Sequence, residues 1–148
     1  IKEHGEGGWI VNVASMAGMG GVPYLGAYTA TKAAVVALSE SWAGELEEKG
    51  IHVSVLCPAF VQTRIHESER NRPAQYQSDE LRTSNENSFA NSTKQMVESG
   101  IEVSIVGKRV VEALNDGEFY IFTHKGYKRQ LEDISSEYLE AFDRAMFQ

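Results

Sequence analysis

The sequence predicts an α/β fold built on a parallel sheet, and three segments carry that expectation. Trp9-Ile10-Val11-Asn12-Val13-Ala14 and His52-Val53-Ser54-Val55-Leu56-Cys57 are mostly apolar on both faces, as strands buried in a parallel sheet are. Between them, over residues 27–49, Val35, Leu38, Trp42 and Leu46 recur at intervals of three and four, the period of a helix with one apolar face. Strand, helix and strand within about fifty residues make a βαβ unit, whose crossover joins parallel strands.

The elements follow in order. Ile1-Lys2-Glu3-His4-Gly5 reads as a frayed helix end with a glycine stop and no initiator methionine, so a piece of something longer is expected. Gly7-Gly8 leads into the first strand. Gly18-Met19-Gly20-Gly21-Val22-Pro23 is a near miss for a phosphate-binding fingerprint, because Pro23 stands where the third glycine belongs; it reads instead as a substrate-side loop. The long helix keeps Glu40, Glu47 and Glu48 largely off its apolar face and meets its stop at Gly50. Pro58 ends the second strand, since it has no N–H to donate to a ladder. Residues 62–95 are rich in Arg, Glu, Asn, Ser and Gln, with Leu81 and Phe89 isolated among them, which is too little apolar surface for a core segment; a mobile lid or disorder is expected. Ser99-Gly100-Ile101-Glu102 has capping-box spacing ahead of Val103, Val106, Val110 and Leu114, a helix face closed by Asn115-Asp116-Gly117. A strand at Phe119-Tyr120-Ile121-Phe122 and a last amphipathic helix through Leu131, Ile134, Tyr138, Phe142 and Met146 complete the chain.

Size and composition narrow the function. A chain of 148 residues buries one ordinary core, so one globular unit is expected. The net charge of -7 and the absence of a basic cluster argue against a nucleic-acid partner. No apolar run approaches the roughly 20 residues that span a bilayer, so no membrane partner is expected. The single cysteine, Cys57, has no internal disulfide partner, and no secretory signal is present, which fits a cytoplasmic protein. His4, His52, His66 and His124 show no paired ligand spacing, and no metal site is expected.

The chemistry centres on Ser15, Tyr28 and Lys32. Residues four apart on a helix share a face about 6 Å apart along the axis, so Tyr28 and Lys32 can serve one pocket. An ammonium beside a phenol favours the phenolate, and a tyrosine so placed can exchange a proton with an alcohol or carbonyl oxygen. Ser15 ends the first strand, where open parallel sheets bind ligands, and its hydroxyl can hold that oxygen. A strand-end serine before a helix also describes a hydrolase nucleophile, but Val13 and Ala17 stand where that elbow needs glycines.

With these residues in place the sequence resembles the short-chain dehydrogenase/reductase family from residue 5 to about 123. Asn12-Val13-Ala14-Ser15 is similar to the family's strand-end motif, Tyr28-Thr29-Ala30-Thr31-Lys32 to its Tyr-x-x-x-Lys signature, and Pro58-Ala59-Phe60-Val61-Gln62-Thr63 to its Pro-Gly-x-Val-x-Thr segment, with Ala59 replacing the glycine. The resemblance implies a Rossmann-like, doubly wound α/β domain, present only as its carboxyl-terminal half. Residues 1–148 would be the C-terminal part of one NAD(P)-binding domain and residues 64–98 its substrate lid. The glycine-rich half that grips NAD or NADP would be supplied before Ile1 or by another chain. It further implies an oxidoreductase that interconverts an alcohol and a ketone or aldehyde, with catalytic Ser15, Tyr28 and Lys32. Tyr28, Lys32, Pro58, Ala59, Val61 and Thr63 would bind the cofactor. A homodimer or homotetramer is implied, with the helix bearing Ala30, Ala33, Ala34 and Ala37 at the interface; those alanines would equally suit packing on the sheet. A truncated, non-catalytic module of the same family is the alternative.

Overall fold

A computed structural model describes residues 1, 3–76 and 83–146. The chain divides into two units, Ile1–Ala59 with Ala113–Gln148, and Phe60–Glu112.

The first unit holds the sheet. Strand β1, Gly8–Val13, feeds a short 3-10 turn at Met16–Gly18 and then helix α1, Gly26–Leu46. A further 3-10 turn at Glu47–Lys49 ends on Gly50, whose φ of 63 is the left-handed conformation that glycine adopts at least cost. Strand β2, Ile51–Cys57, follows. β2 pairs in parallel with β1, Val13 opposite Leu56, so the βαβ unit expected from the sequence is formed. β2 is the central strand and is buried at every position except His52, which explains its nearly continuous apolar run. Its one buried hydroxyl, Ser54, is satisfied by donating to the Glu118 carbonyl at 2.8 Å.

Two apolar clusters hold α1 on the sheet. Ala14, Val36, Val55 and Cys57 form one; Leu46, Ile51 and Val53 form the other, with Ile10, Trp42 and Ala43 packed around it. Val35, Trp42 and Leu46 face the core as their spacing suggested, but Leu38 does not, and Ser39 takes its place. Leu38 is 45% exposed, while Ser39 is fully buried. The helix is apolar nearly all round in this region, so spacing alone did not determine its rotation, and Ser39 meets its hydrogen-bonding needs inside the interface. Ala30, Ala34 and Ala37 are exposed, which removes the option that they pack on the sheet.

The second unit, Phe60–Glu112, carries the polar stretch, and here the sequence reading needs correction. Residues 62–95 are not simply a polar connection: 3-10 turns at Ile65–Asn71 and Ala74–Tyr76 are followed by helix α2, Ser84–Glu98. Leu81 lies outside the described residues. The capping box sits at the start of α2, where the Thr83 side chain receives the Glu86 amide and the Glu86 carboxylate receives the Thr83 amide. Ser99, expected to open the next helix, instead closes α2, and its hydroxyl donates to the Gln95 carbonyl at 2.8 Å. Among the described residues of this stretch none is buried, as its polar composition predicts, and the buried Val97 follows it near the end of α2. A parallel bridge between Val61 and Ile101 ties the two ends of the stretch together. Helix α3, Val103–Asn115, begins in this unit and ends in the first, which it re-enters with Ala113 fully buried.

Strand β3, Tyr120–Phe122, pairs in parallel with β2 on the side away from β1, and helix α4, Lys128–Asp143, ends the described chain. Both were expected from the sequence. The Tyr120 hydroxyl donates to the Glu40 carboxylate, lashing β3 to α1; this bond, followed by burial, pushes the phenol up to about 12. No helix among the described residues is long and apolar enough to cross a membrane.

Candidate active site

The β1–β2 ladder continues past the end of β1 and thereby fixes Ser15. Ala14 donates its amide to the Leu56 carbonyl at 2.8 Å and Met16 donates to Pro58 at 2.9 Å. Ser15 therefore stands beside Pro58 and Ala59, at the carboxyl end of two parallel strands, where open α/β sheets bind ligands. Its backbone is extended, and its Oγ accepts from the Ala17 amide at 3.1 Å, capping the 3-10 turn. That bond occupies an oxygen lone pair and leaves the hydroxyl proton available to a ligand oxygen.

Tyr28 and Lys32 occupy the first two turns of α1, and both are partly buried. The Lys32 ammonium lies 5.8 Å from the centre of the Tyr28 ring. It donates to the Val13 carbonyl at 3.0 Å, two residues before Ser15. An ammonium has three protons, so two remain for other oxygens. No hydrogen bond from a described residue reaches the Tyr28 hydroxyl.

The turn after Ser15 seats directly on the helix. A Cβ added at Gly18 would stand 2.7 Å from the Lys32 carbonyl carbon and 2.8 Å from its oxygen. This is the use of the first glycine in the loop read as substrate-facing: it allows the turn bearing Ser15 to touch the backbone of the residue bearing the ammonium. The spacing of Ser15, Tyr28 and Lys32 was legible in the sequence, but the Val13 carbonyl was not, since a backbone acceptor leaves no trace in residue type. Gly18 did leave a signal, as a glycine three residues after the strand-end serine.

Pro58 and Ala59 end the leading segment of the first unit and are partly buried. Val61 and Thr63 belong to the second, where Val61 takes part in the bridge to Ile101 and the Thr63 hydroxyl accepts the Ile65 amide at 3.4 Å.

Behind Ser15 lies Cys57, with no exposed surface. Burial pushes its thiol up to about 11, partly offset by a hydrogen bond from the Ser15 backbone N–H. The protonated thiol is thus a packing group rather than a nucleophile. Because the folded value lies above the ordinary 9.0, its contribution to stability is complete below pH 9 and is lost as pH rises toward 11. The expected result is that Cys57 resists iodoacetamide at pH 8 until denaturant is added. Stability is expected to fall by on the order of 2 kcal/mol between pH 9 and 11, a component absent from Cys57→Ala. Rapid labelling of the folded protein contradicts this.

The parallel α/β sheet thus carries a serine at a strand end and a Tyr-x-x-x-Lys pair on the helix after it, and comparison with known proteins gives this arrangement a family. The family model for short chain dehydrogenases matches residues 1–74, half of the chain, and the chain belongs to that family. The CLA biosynthesis dehydrogenase/reductase of Lactiplantibacillus plantarum is 34% identical over 137 residues, spanning 89% of this chain and 47% of that protein. The C alpha-dehydrogenase of Sphingobium sp. (strain NBRC 103272 / SYK-6) is 34% identical over 128 residues, spanning 86% of this chain and 41% of that protein. The crystal structure of a short chain dehydrogenase/reductase from Burkholderia phymatum in complex with NAD superposes with a TM-score of 0.85 at 33% identity, covering 93% of this chain and 51% of that one. The Rossmann-like fold is thereby shown, and the chain spans about half the length of the curated relatives it matches.

Proposed function

We propose that the protein is an NAD(P)-dependent oxidoreductase that interconverts an alcohol and a ketone or aldehyde. The observation that carries this reading is the placement of the Lys32 ammonium, 5.8 Å from the Tyr28 ring and anchored on the Val13 carbonyl two residues before Ser15. The family and the NAD complex of the Burkholderia phymatum relative support it.

The residues present fit a nicotinamide dinucleotide. Lys32 keeps two N–H donors for ribose hydroxyls, and Pro58 and Ala59 line the carboxyl end of β2. In this reading Val61 and Thr63 would contact the carboxamide and pyrophosphate ends of the cofactor. The nicotinamide, when bound, accepts or gives the hydride. In oxidation Tyr28 takes the proton of the substrate hydroxyl, and in reduction it returns it; Lys32 stands beside the ring with donors for the cofactor, and Ser15 holds the substrate oxygen by donating its free proton. Among the described residues the hydrogen bond to Ser15 Oγ comes from the Ala17 amide and none comes from a histidine, which favours this reading over a hydrolase.

Residues 64–98 act as the substrate lid in this reading. The half that grips the dinucleotide comes from the same polypeptide or from another chain, in keeping with relatives about twice as long. The exposed Ala30, Ala34, Ala37 and Leu38 of α1 suit a homodimer or homotetramer in the cytoplasm. The test is the absorbance change of NAD(P)H at 340 nm with a panel of secondary alcohols and ketones. Turnover with at least one pair supports the reading; release of an acid from esters without nicotinamide overturns it.

A further inference from the structure

We infer that Asn12 and Ser39 form a positioning clamp that sets the rotation and axial register of α1 against β1, and through it the placement of Tyr28 and Lys32. Its link to catalysis rests on the function proposed above.

Along β1, Ile10, Asn12 and Ala14 alternate onto the face that meets α1. Ile10 packs with the cluster of Leu46, Ile51 and Val53, and Ala14 belongs to the cluster of Val36, Val55 and Cys57. Asn12 lies between these two and donates its Nδ2 to Ser39 Oγ at 3.0 Å. Ser39 is fully buried and donates in turn to the Val35 carbonyl, one helical turn earlier, at 2.6 Å. The polar pair therefore sits at the midpoint of an otherwise apolar interface between strand and helix.

Apolar burial has no direction. It sets rotation only where one helix face is apolar and the other is not, and α1 from Ala33 to Leu38 is Ala-Ala-Val-Val-Ala-Leu, without a polar side. Over this stretch, turning the helix by about one residue, roughly 100°, would replace one apolar side chain by another, so the rotation here is set by polar groups rather than by apolar contact. It would also leave the Asn12 amide and the Ser39 hydroxyl without each other. A hydrogen bond that works in one register alone is the physical means by which a polar pair specifies an interface that packing leaves degenerate.

The same geometry connects the clamp to the site. At roughly 100° per residue, Tyr28, Lys32, Val35, Ser39, Trp42 and Leu46, spaced by four and three, form one stripe along α1. Fixing Ser39 against Asn12 fixes where Tyr28 and Lys32 point, two and three turns away. On the strand, Asn12 immediately precedes Val13, whose carbonyl holds Lys32, and stands three residues before Ser15. Asn12 and Ser39 are thus positioning residues, acting through the helix and the strand that bear the reactive groups.

The test uses the active enzyme with tyrosine labelled by 13C at Cζ, the Tyr28 line being identified by its loss in Tyr28→Phe. Asn12→Ala, Ser39→Ala and the double variant are compared for the Tyr28 line, for kcat and KM, and for Tm. The expected result is that each single variant shifts or broadens the Tyr28 line and leaves the line of the exposed Tyr138 in place. The double variant should match the singles, because both residues act through one bond. A fall in kcat of about tenfold, with KM within twofold, is expected from displaced but intact reactive groups. An unmoved Tyr28 line in Ser39→Ala, or single effects on that line that add in the double variant, overturns the clamp. Unreduced turnover by Tyr28→Phe overturns the oxidoreductase reading instead, and in that case the movement of the Tyr28 line still decides the clamp. Should Ser39→Ala fail to fold, Asn12→Ala provides the same readout, since it leaves the bond from Ser39 to the Val35 carbonyl intact.

Discussion

Tyr28→Phe is expected to lower kcat about 10³-fold while leaving the dissociation constant for NAD(P) within a few-fold. The substitution removes one oxygen and keeps the ring, and Tyr and Phe have similar helix propensities, so α1 and its stripe are preserved. Lys32 keeps its bond to the Val13 carbonyl and its remaining donors. What disappears is the only group of the triad with a transferable phenolic proton. Positioned acid-base groups contribute typically 10²–10⁴-fold, and the expected loss lies within that range. Stopped-flow measurement of the hydride step, together with cofactor titration by fluorescence, checks both halves of the expectation. A kcat within tenfold of the natural protein would mean that the proton leaves by another route and that Tyr28 is a packing residue.

The parallel βαβ frame was legible because each of its elements has an unambiguous local signal. β2 is apolar at almost every position since it is covered on both faces, and Gly50 marks the helix stop with a backbone conformation that few other residues adopt. The final strand and helix were equally clear. The helix face was legible at Val35, Trp42 and Leu46 but not at Leu38, because nothing local announces that Asn12, 27 residues away, meets Ser39 across the interface. The helix of the polar stretch was hidden for a different reason. Ser84–Glu98 has few apolar side chains to reveal a period, and its start is marked only by Thr83 and Glu86, while the more conspicuous Ser99 and Glu102 pair lies at a helix end. Capping-box spacing marks a boundary without saying which helix it bounds.

The candidate site divides in the same way. Ser15, Tyr28 and Lys32 were recognisable as side chains at fixed spacing, whereas the contacts that join them use backbone: the Val13 carbonyl for Lys32, the Ala17 amide for Ser15 and the bare Cα of Gly18 against α1. Residue type records the candidate groups and largely omits the backbone contacts that hold them.

Gly18→Ala tests those contacts and is expected to cost more than any other single methyl added in the first unit's loop after β1. The new Cβ would stand 2.7 Å from the Lys32 carbonyl carbon, 2.8 Å from its oxygen and 3.1 Å from the Ala33 nitrogen, all helix backbone with no rotamer to escape into. Either α1 shifts or the turn lifts away. Since α1 is held by two apolar clusters and the turn by a few hydrogen bonds, including Gly18 N–H to the Ser15 carbonyl at 2.9 Å, the turn is the part that yields. Overpacking of this kind costs roughly 2–3 kcal/mol, which corresponds to a fall in Tm on the order of 10 °C. As the turn moves it carries the Ser15 hydroxyl with it, so kcat is expected to fall about 10²-fold, the penalty of a misplacement near 1 Å. Gly44→Ala is the matched control: it lies within α1, its Cβ would meet nothing within 4 Å, and replacing a helical glycine there is expected to raise stability by up to about 1 kcal/mol with kcat unchanged. Calorimetry and steady-state turnover of the two variants separate the cases. Equal Tm and kcat for Gly18→Ala and the natural protein would show that the turn does not rest on Lys32, and that Ser15 is positioned by the β1–β2 ladder alone.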